Sequence, residues 1–226
     1  MSTLSASNEN YLKAIFDLTH RGTPVTTGAL ATELGVSSPS ATAMLKRLEQ
    51  TELVERPDAR RVRLTDRGER AALQVVRRHR LLETFLTEVV GLAWDEVHAE
   101  AEQLEHALSD RLERRIDELL GHPTHDPHGD PIPGRDGAHR EDWGESLAAA
   151  AVGDRFRVDR VSDRDSSALR YLGELGVRPG TELVVDDVAP FGGPVWVVID
   201  GARHGLGTPL THLVHGRIIE NDGSTG

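Results

Sequence analysis

Residues 26–64 read TTGALATELGVSSPSATAMLKRLEQTELVERPDARRVRL, and the fold is decided here. Thr27 is suited to cap a short helix ending near Leu34. Gly35-Val36-Ser37 makes a tight turn. Ser38-Pro39 opens a second helix through about Thr51, with proline in the first turn, where its missing N–H is no loss. Val54-Glu55, a turn at Pro57-Asp58 and the alternating Arg61-Val62-Arg63-Leu64 predict a β-hairpin. Helix, glycine turn, amphipathic helix and hairpin together make a winged helix-turn-helix. Ala29, Leu30, Leu34, Val36, Ala41, Met44 and Leu45 are its expected internal packing set.

That packing leaves Ser37, Ser38, Pro39, Ser40, Thr42, Ala43, Lys46 and Arg47 facing outward. Small hydroxyl side chains at the start of a recognition helix lie close to base edges and phosphates in a major groove. The free N–H groups of that helix start also favour a phosphate. Arg56, Arg60, Arg61 and Arg63 on the hairpin suit contacts to a nucleic-acid backbone. Few of these side chains make bidentate base contacts, so DNA shape is expected to carry part of the recognition. The net charge of −11 over 226 residues argues globally against nucleic acid. Locally it does not. Residues 1–70 hold 10 Lys/Arg against 9 Asp/Glu, whereas the other 156 hold 16 against 28.

Outward from this module, Leu4, Tyr11, Leu12, Ile15, Phe16 and Leu18 recur at helical spacing and predict a helix over 4–22. Downstream, a long helix is expected from Thr65 to about Val90, stopped by Gly91, then helices over 95–107 and 109–120. Residues 121–138 are rich in Gly, Pro and His, without periodicity, and read as a loop. Residues 143–151 read as a linker with a helical turn. From Asp154 the pattern turns to β, with strands over 156–158, 182–185, 195–199 and 217–219 and one helix over 166–175. Such closely spaced short strands predict a small barrel. The expected fold is therefore mainly α with β: a winged helix-turn-helix (1–73), a helical domain (74–140), a linker (141–153) and a small β-barrel (154–222).

Composition narrows the function. Cysteine is absent, which removes disulfides, thiolate metal sites and thiol nucleophiles. No apolar run reaches the roughly 18 residues of a membrane span. Met1–Glu9 has neither a basic nor an apolar segment of a secretory signal, so a cytoplasmic, membrane-free location is expected.

The second informative region is 79–106. His79 and Glu83 are four apart on one helix. On the next, at about 100° per residue, Glu102, Glu105 and His106 fall near 40°, −20° and 80° from His98. Val97, Ala101, Leu104 and Leu108 form a separate apolar stripe, expected to contribute to a homodimer contact. Carboxylate and imidazole donors without sulfur suit Mn²⁺, Fe²⁺, Co²⁺, Ni²⁺ or Zn²⁺. An enzyme is not expected. Glu102-x-x-Glu105-His106 lacks the first His of a His-x-x-Glu-His protease motif, and there is no His-Glu-x-x-His, phosphate loop or Gly-x-Ser-x-Gly elbow. No small organic substrate is expected either.

Glu9-Asn10-Tyr11-Leu12, Arg78-His79-Arg80-Leu81-Leu82-Glu83, Glu102-x-x-Glu105-His106-x-Leu108-Ser109 and His128-Gly129-Asp130-Pro131-Ile132-Pro133 resemble the diphtheria toxin repressor/MntR family of metal-dependent regulators over nearly the whole chain. The β domain resembles the family's SH3-like or FeoA-like tail. The resemblance implies an ancillary metal site of His79, Glu83 and His98, completed by Asp165 or, as the alternative, Asp163; Ala168 stands where relatives have a Gln ligand. It implies a primary site of Asn10, Glu102, Glu105 and His106. The iron-type pattern has Met at position 10 and Cys at 102. Oxygen donors at both positions harden the site and favour Mn²⁺, with Fe²⁺ the alternative. Manganese regulators of the family commonly place Asp at position 10 and Glu at 13. Asn10 and Lys13 here imply two separate sites rather than a bridged pair.

The expected protein is a homodimeric, metal-activated repressor of metal-uptake genes that reads a palindromic DNA operator. In that scheme Asn10 ties the DNA-reading module to the metal cage. Other readings are a winged-helix regulator that senses a non-metal ligand, and a metallohydrolase. His122, His125 and His128 are read as turn or packing residues, with weak metal binding the alternative.

Overall fold

The computed structural model describes residues 4–58, 60–139 and 143–219. Residues 141–142 of the expected linker and 220–222 at the end of the expected β domain lie outside the described residues. The chain forms two compact units. One takes residues up to 82, 102–122 and 132–140; the other takes 83–101, 123–131 and the residues from 141 onward.

In the first unit, helix α1 (Ala6–His20) precedes α2 (Thr27–Glu33) and α3 (Ser38–Gln50). Each start is capped by a hydroxyl. Ser5 accepts from the Asn8 N–H, Thr26 from Ala29 and Ser37 from Ser40. Each cap contributes about 1 kcal/mol. The cap of α2 is Thr26, one residue before the expected Thr27. Gly35 takes φ 63° in the turn between α2 and α3, a conformation open to glycine. Leu12, Ile15, Phe16, Leu30, Ala41, Leu45 and Leu48 are buried together. Val36 is exposed, contrary to expectation, because it sits at the outer corner of that turn. Strands β1 (Val54–Glu55) and β2 (Arg63–Leu64) pair antiparallel as the wing. Helix α4 (Asp66–Phe85) starts immediately afterwards, and a Cβ at Gly68 would run into the Leu53 carbonyl.

Helix α4 passes into one π-helical turn, Leu86–Val90, which ends at Gly91 with φ 83°. The predicted end at Val90 is thus met, with wider winding in the last turn. Helix α5 (Val97–Leu104) is shorter than the expected 95–107. Helix α6 (Asp110–Leu119) is capped by Ser109. Arg77 of α4 is buried and bonds Glu113 at 3.0 Å, Asp117 at 2.9 Å and the Pro133 carbonyl at 2.7 Å, joining α4, α6 and the 132–134 segment.

In the second unit the sheet order is β3-β8-β4-β5-β6-β7, all neighbours antiparallel. The strands are β3 (Glu145–Ser146), β4 (Arg155–Val161), β5 (Glu182–Val188), β6 (Val195–Ile199), β7 (Ala202–Leu206) and β8 (Val214–Ile219). Helix α7 (Ser166–Glu174) follows β4, and α8 (Thr208–Thr211) precedes β8. Phe156, Val158, Leu169, Leu172, Leu183, Val197, Leu206 and Val214 form the core. The expected barrel is corrected here. Strands β3 and β7 are edges, and among the described residues no pairing joins them, so the sheet is open. Strand β7 was not anticipated: Ala-Arg-His-Gly-Leu lacks the apolar alternation that marks a strand. No helix among the described residues is long and apolar enough to cross a membrane.

Candidate metal centre and nucleic-acid face

Helix α3 presents Ser38, Pro39, Ser40, Ala43, Lys46 and Arg47 to solvent, with Ser37 at its cap and Thr42 half-buried. The buried positions Ala41, Leu45 and Leu48 fix which face is left outward. The wing is more strongly paired than its sequence implies. Arg63 meets Glu55 at 2.5 Å and Arg56 meets Glu49 at 3.1 Å. Arg60 is exposed at the tip, where Asp58 accepts the N–H groups of Arg60 and Arg61.

Each unit also holds a cluster of charged side chains. In the second unit, Glu83 from the last turn of α4 faces His98 of α5. The His98 Nδ1–H donates to Glu83 Oε1 at 3.1 Å and to Asp163 Oδ2 at 2.8 Å. Burial works against a charged His98. Its hydrogen bonds to Asp163 and Glu83 override this and hold its pKa up at about 11. Burial likewise acts to raise Asp163, but the His98 hydrogen bond keeps it well below the ordinary carboxylate range.

His128 joins Glu83 from the 123–131 loop. Asp126 Oδ1 accepts the backbone N–H groups of His128 (2.8 Å) and Asp130 (2.9 Å), an Asx turn that sets the loop. Gly129 has φ 90°, and a Cβ there would collide with the Asp159 carbonyl. The His128 Nε2–H donates to the Trp94 carbonyl at 2.7 Å. That bond orients the ring and turns Nδ1 inward, where it lies 3.8 Å from Glu83 Oε2, buried and without a hydrogen-bond partner. Burial disfavours the His128 charge, yet Glu83 and the nearby acids raise its pKa to about 10. Glu83, Asp126 and His128 converge closely enough to hold one cation. His128, read from sequence as a turn or packing residue or a weak metal ligand, thus stands beside Glu83. The signal that would have found it is the Asp-x-His-Gly-Asp turn, which aims a ring from a fixed loop. Asp165 lies outside these groupings. Its carboxylate caps α7 by accepting from Ser167 and Ala168, and Asp163 stands with His98 instead.

The other cluster lies in the first unit. Glu105, almost wholly buried, accepts from Lys13 Nζ at 2.9 and 3.1 Å and meets His79 Nδ1 at 2.5 Å. Burial acts to raise the Glu105 pKa, but His79 and Lys13 lower it overall. Lys13 sits 3.7 Å from Glu102. His106 turns to Glu9 at 2.6 Å and stands 3.5 Å from Glu105. Asn10 is exposed, and it is the adjacent Glu9 that reaches His106. His79 lies one turn before Glu83 on continuous α4, as its spacing predicts.

The apolar stripe of α5 is corrected as well. Val97, Ala101 and Leu108 are buried within the chain, and Leu104 alone of the four is exposed. Helix α6 carries exposed Leu112 and Leu119, seven residues apart on one face.

A winged helix with a hydroxyl-rich outer face, followed by helices with buried carboxylate–imidazole clusters, defines a metal-responsive DNA-binding regulator. The profiles described as "Iron dependent repressor, N-terminal DNA binding domain", "Iron dependent repressor, metal binding and dimerisation domain" and "FeoA domain" match residues 3–61, 65–134 and 145–216. The chain belongs to this family of metal-dependent transcriptional repressors. It is 34% identical over 214 residues to the iron-dependent repressor IdeR of Mycobacterium tuberculosis, across 89% of this chain and 92% of that protein. It is 32% identical over 233 residues to the diphtheria toxin repressor of Corynebacterium efficiens, across 99% of each. A solved manganese-dependent transcriptional repressor in complex with manganese superposes with a TM-score of 0.87 at 44% identity, covering 94% of this chain and 100% of that one. The structure of ScaR with bound Cd²⁺ gives 0.81 at 31% identity, covering 94% and 99%.

Proposed function

We propose that this chain is a manganese-activated repressor that binds a palindromic operator as a cytoplasmic homodimer and silences metal-uptake genes, without catalytic turnover. One observation carries the metal assignment. The inward, buried Nδ1 of His128 lacks a hydrogen-bond partner beside Glu83, in a cluster that offers only oxygen and nitrogen donors. Such a set fits Mn²⁺ or Fe²⁺ and gives no advantage to a sulfur-seeking ion. Glu83 holds the ion in this reading, either with His98, Asp163 and His79 one turn earlier on α4, or with Asp126 and His128, two groupings that share its carboxylate. The bound cation supplies the positive charge that the metal-free cluster draws from protonated imidazoles.

The rest is done by the chain. Helix α4 leaves the wing at Asp66 and reaches Glu83 about 26 Å later without a break. Glu83 thus sits on the same helix that begins beside the DNA-reading hairpin. Occupancy then acts through differential affinity for the DNA-competent arrangement. Two such modules, related by a two-fold axis, read half-sites one helical turn or a multiple apart.

The test is operator binding by fluorescence anisotropy, on a duplex selected from a random pool in Mn²⁺, with and without Mn²⁺ or anaerobic Fe²⁺. Manganese should tighten binding at least tenfold, and Glu83→Gln should remove that response. Equal binding with and without either metal would overturn the proposal. A response to Fe²⁺ alone would reassign the metal.

A further inference from the structure

The pocket between α1 and residues 102–106 already holds a cation. Lys13 is largely buried, with Nζ 2.9 and 3.1 Å from the two oxygens of Glu105, 3.0 Å from His79 Nδ1 and 3.7 Å from Glu102. Glu105 is almost completely excluded from solvent. The ammonium therefore neutralises the carboxylate a divalent ion would need most. Asn10, the expected partner, is exposed where it lines this pocket with Lys13 and Glu102, and His106 spends its Nδ1 on Glu9 while its Nε2 lies 3.5 Å from Glu105. A divalent ion placed among Glu102, Glu105 and His106 would face the Lys13 charge at close range in a desolvated setting. The donors that sequence resemblance implies for a primary site thus do not fit a metal in this chain.

We propose that the Lys13 ammonium is the resident cation of this pocket, so that α1 is fastened to residues 102–106 by the chain's own charge and the pocket takes no divalent ion. This rests on the metal-dependent reading above and deepens it: control by metal passes through the groupings around Glu83 alone.

Crystals of the full chain grown with Mn²⁺, measured at the manganese edge, locate the ions directly. Equilibrium dialysis counts ions per chain for the wild type and Lys13→Gln. Anomalous density in the wild type should be confined to the Glu83 cluster. Lys13→Gln should gain one Mn²⁺ per chain, and its melting temperature should rise more on adding Mn²⁺ than that of the wild type. Anomalous density bounded by Glu102, Glu105 and His106 in the wild type would overturn the proposal, and so would a folded Lys13→Gln with an unchanged ion count. The wild-type map decides the matter without the variant. Failure of the broader reading looks different: the wild type would bind no manganese at the Glu83 cluster, while Lys13→Gln would still gain its ion.

Discussion

Single residues set the chemistry of the Glu83 cluster. With pKa values raised to about 11 and about 10, His98 and His128 both carry protons at neutral pH in the metal-free chain. An entering cation must displace them, so binding releases protons and affinity rises with pH. For two displaced protons, the apparent Mn²⁺ affinity should fall by up to about a hundredfold for each pH unit lowered below neutrality. Calorimetry in buffers of different ionisation enthalpy counts the released protons directly; a count near zero would show that these imidazoles are not ligands. At this scale the sequence was only partly legible. His79, Glu83 and His98 follow from helical spacing and family motif, because residues four apart share a face. Asp163 and His128 stand near Glu83 and His98 from distant loops, one after β4 and one over 123–131, and no local periodicity records such a meeting. Asp165 was the more prominent guess, but an acid just before a helix is drawn to its free N–H groups.

Elements are held by caps and by buried charge networks, of which that of Arg77 joins helices. Arg77 lies between α4 and α6, with Glu113 and Asp117 both buried beside it. Replacing it by Met leaves Glu113 with only Arg78 at 3.4 Å and Asp117 with only His122 at 3.1 Å, so the loss should sit near the lower end of the about 3–5 kcal/mol that breaking a buried pair costs. Chemical denaturation should show a loss of that size in Arg77→Met. A loss below about 1 kcal/mol would mean that water replaces the guanidinium at little cost. The helices were legible because their start signals are chemical: Ser5, Thr26, Ser37 and Ser109 each precede an apolar periodic run. Strand β7 was not, because Arg203 and His204 occupy it. Its stability comes from pairing with β6 and from Arg203, which bonds Asp186 at 2.6 Å and covers the Trp196 ring at 4.1 Å.

For the whole molecule, assembly is the quantity to test. Leu112 and Leu119 are 52% and 65% exposed on one face of α6, whereas most of the α5 stripe is spent inside the chain. Burying such a leucine is worth about 1.5–3 kcal/mol. Leu112→Glu with Leu119→Glu should weaken the homodimer at least about tenfold by sedimentation, with helix content unchanged, and operator binding should weaken with it. An unchanged dimer would place the contact elsewhere. The division into a near-neutral DNA-reading part and an acidic remainder was legible in the charge count by segment. Closure of the sheet was not, because alternation along a strand says which face is buried and nothing about whether the first and last strands meet.

Lys13 also bears on how such a regulator adapts. A side chain has no off-rate, so neither a chelator nor starvation can strip it. The fastening of α1 is then present at every ambient metal level, and the set point of the response must be tuned elsewhere. A change of one codon at position 13 would turn a permanent charge into an exchangeable one, giving a lineage a short route between a switch with one input and a switch with two.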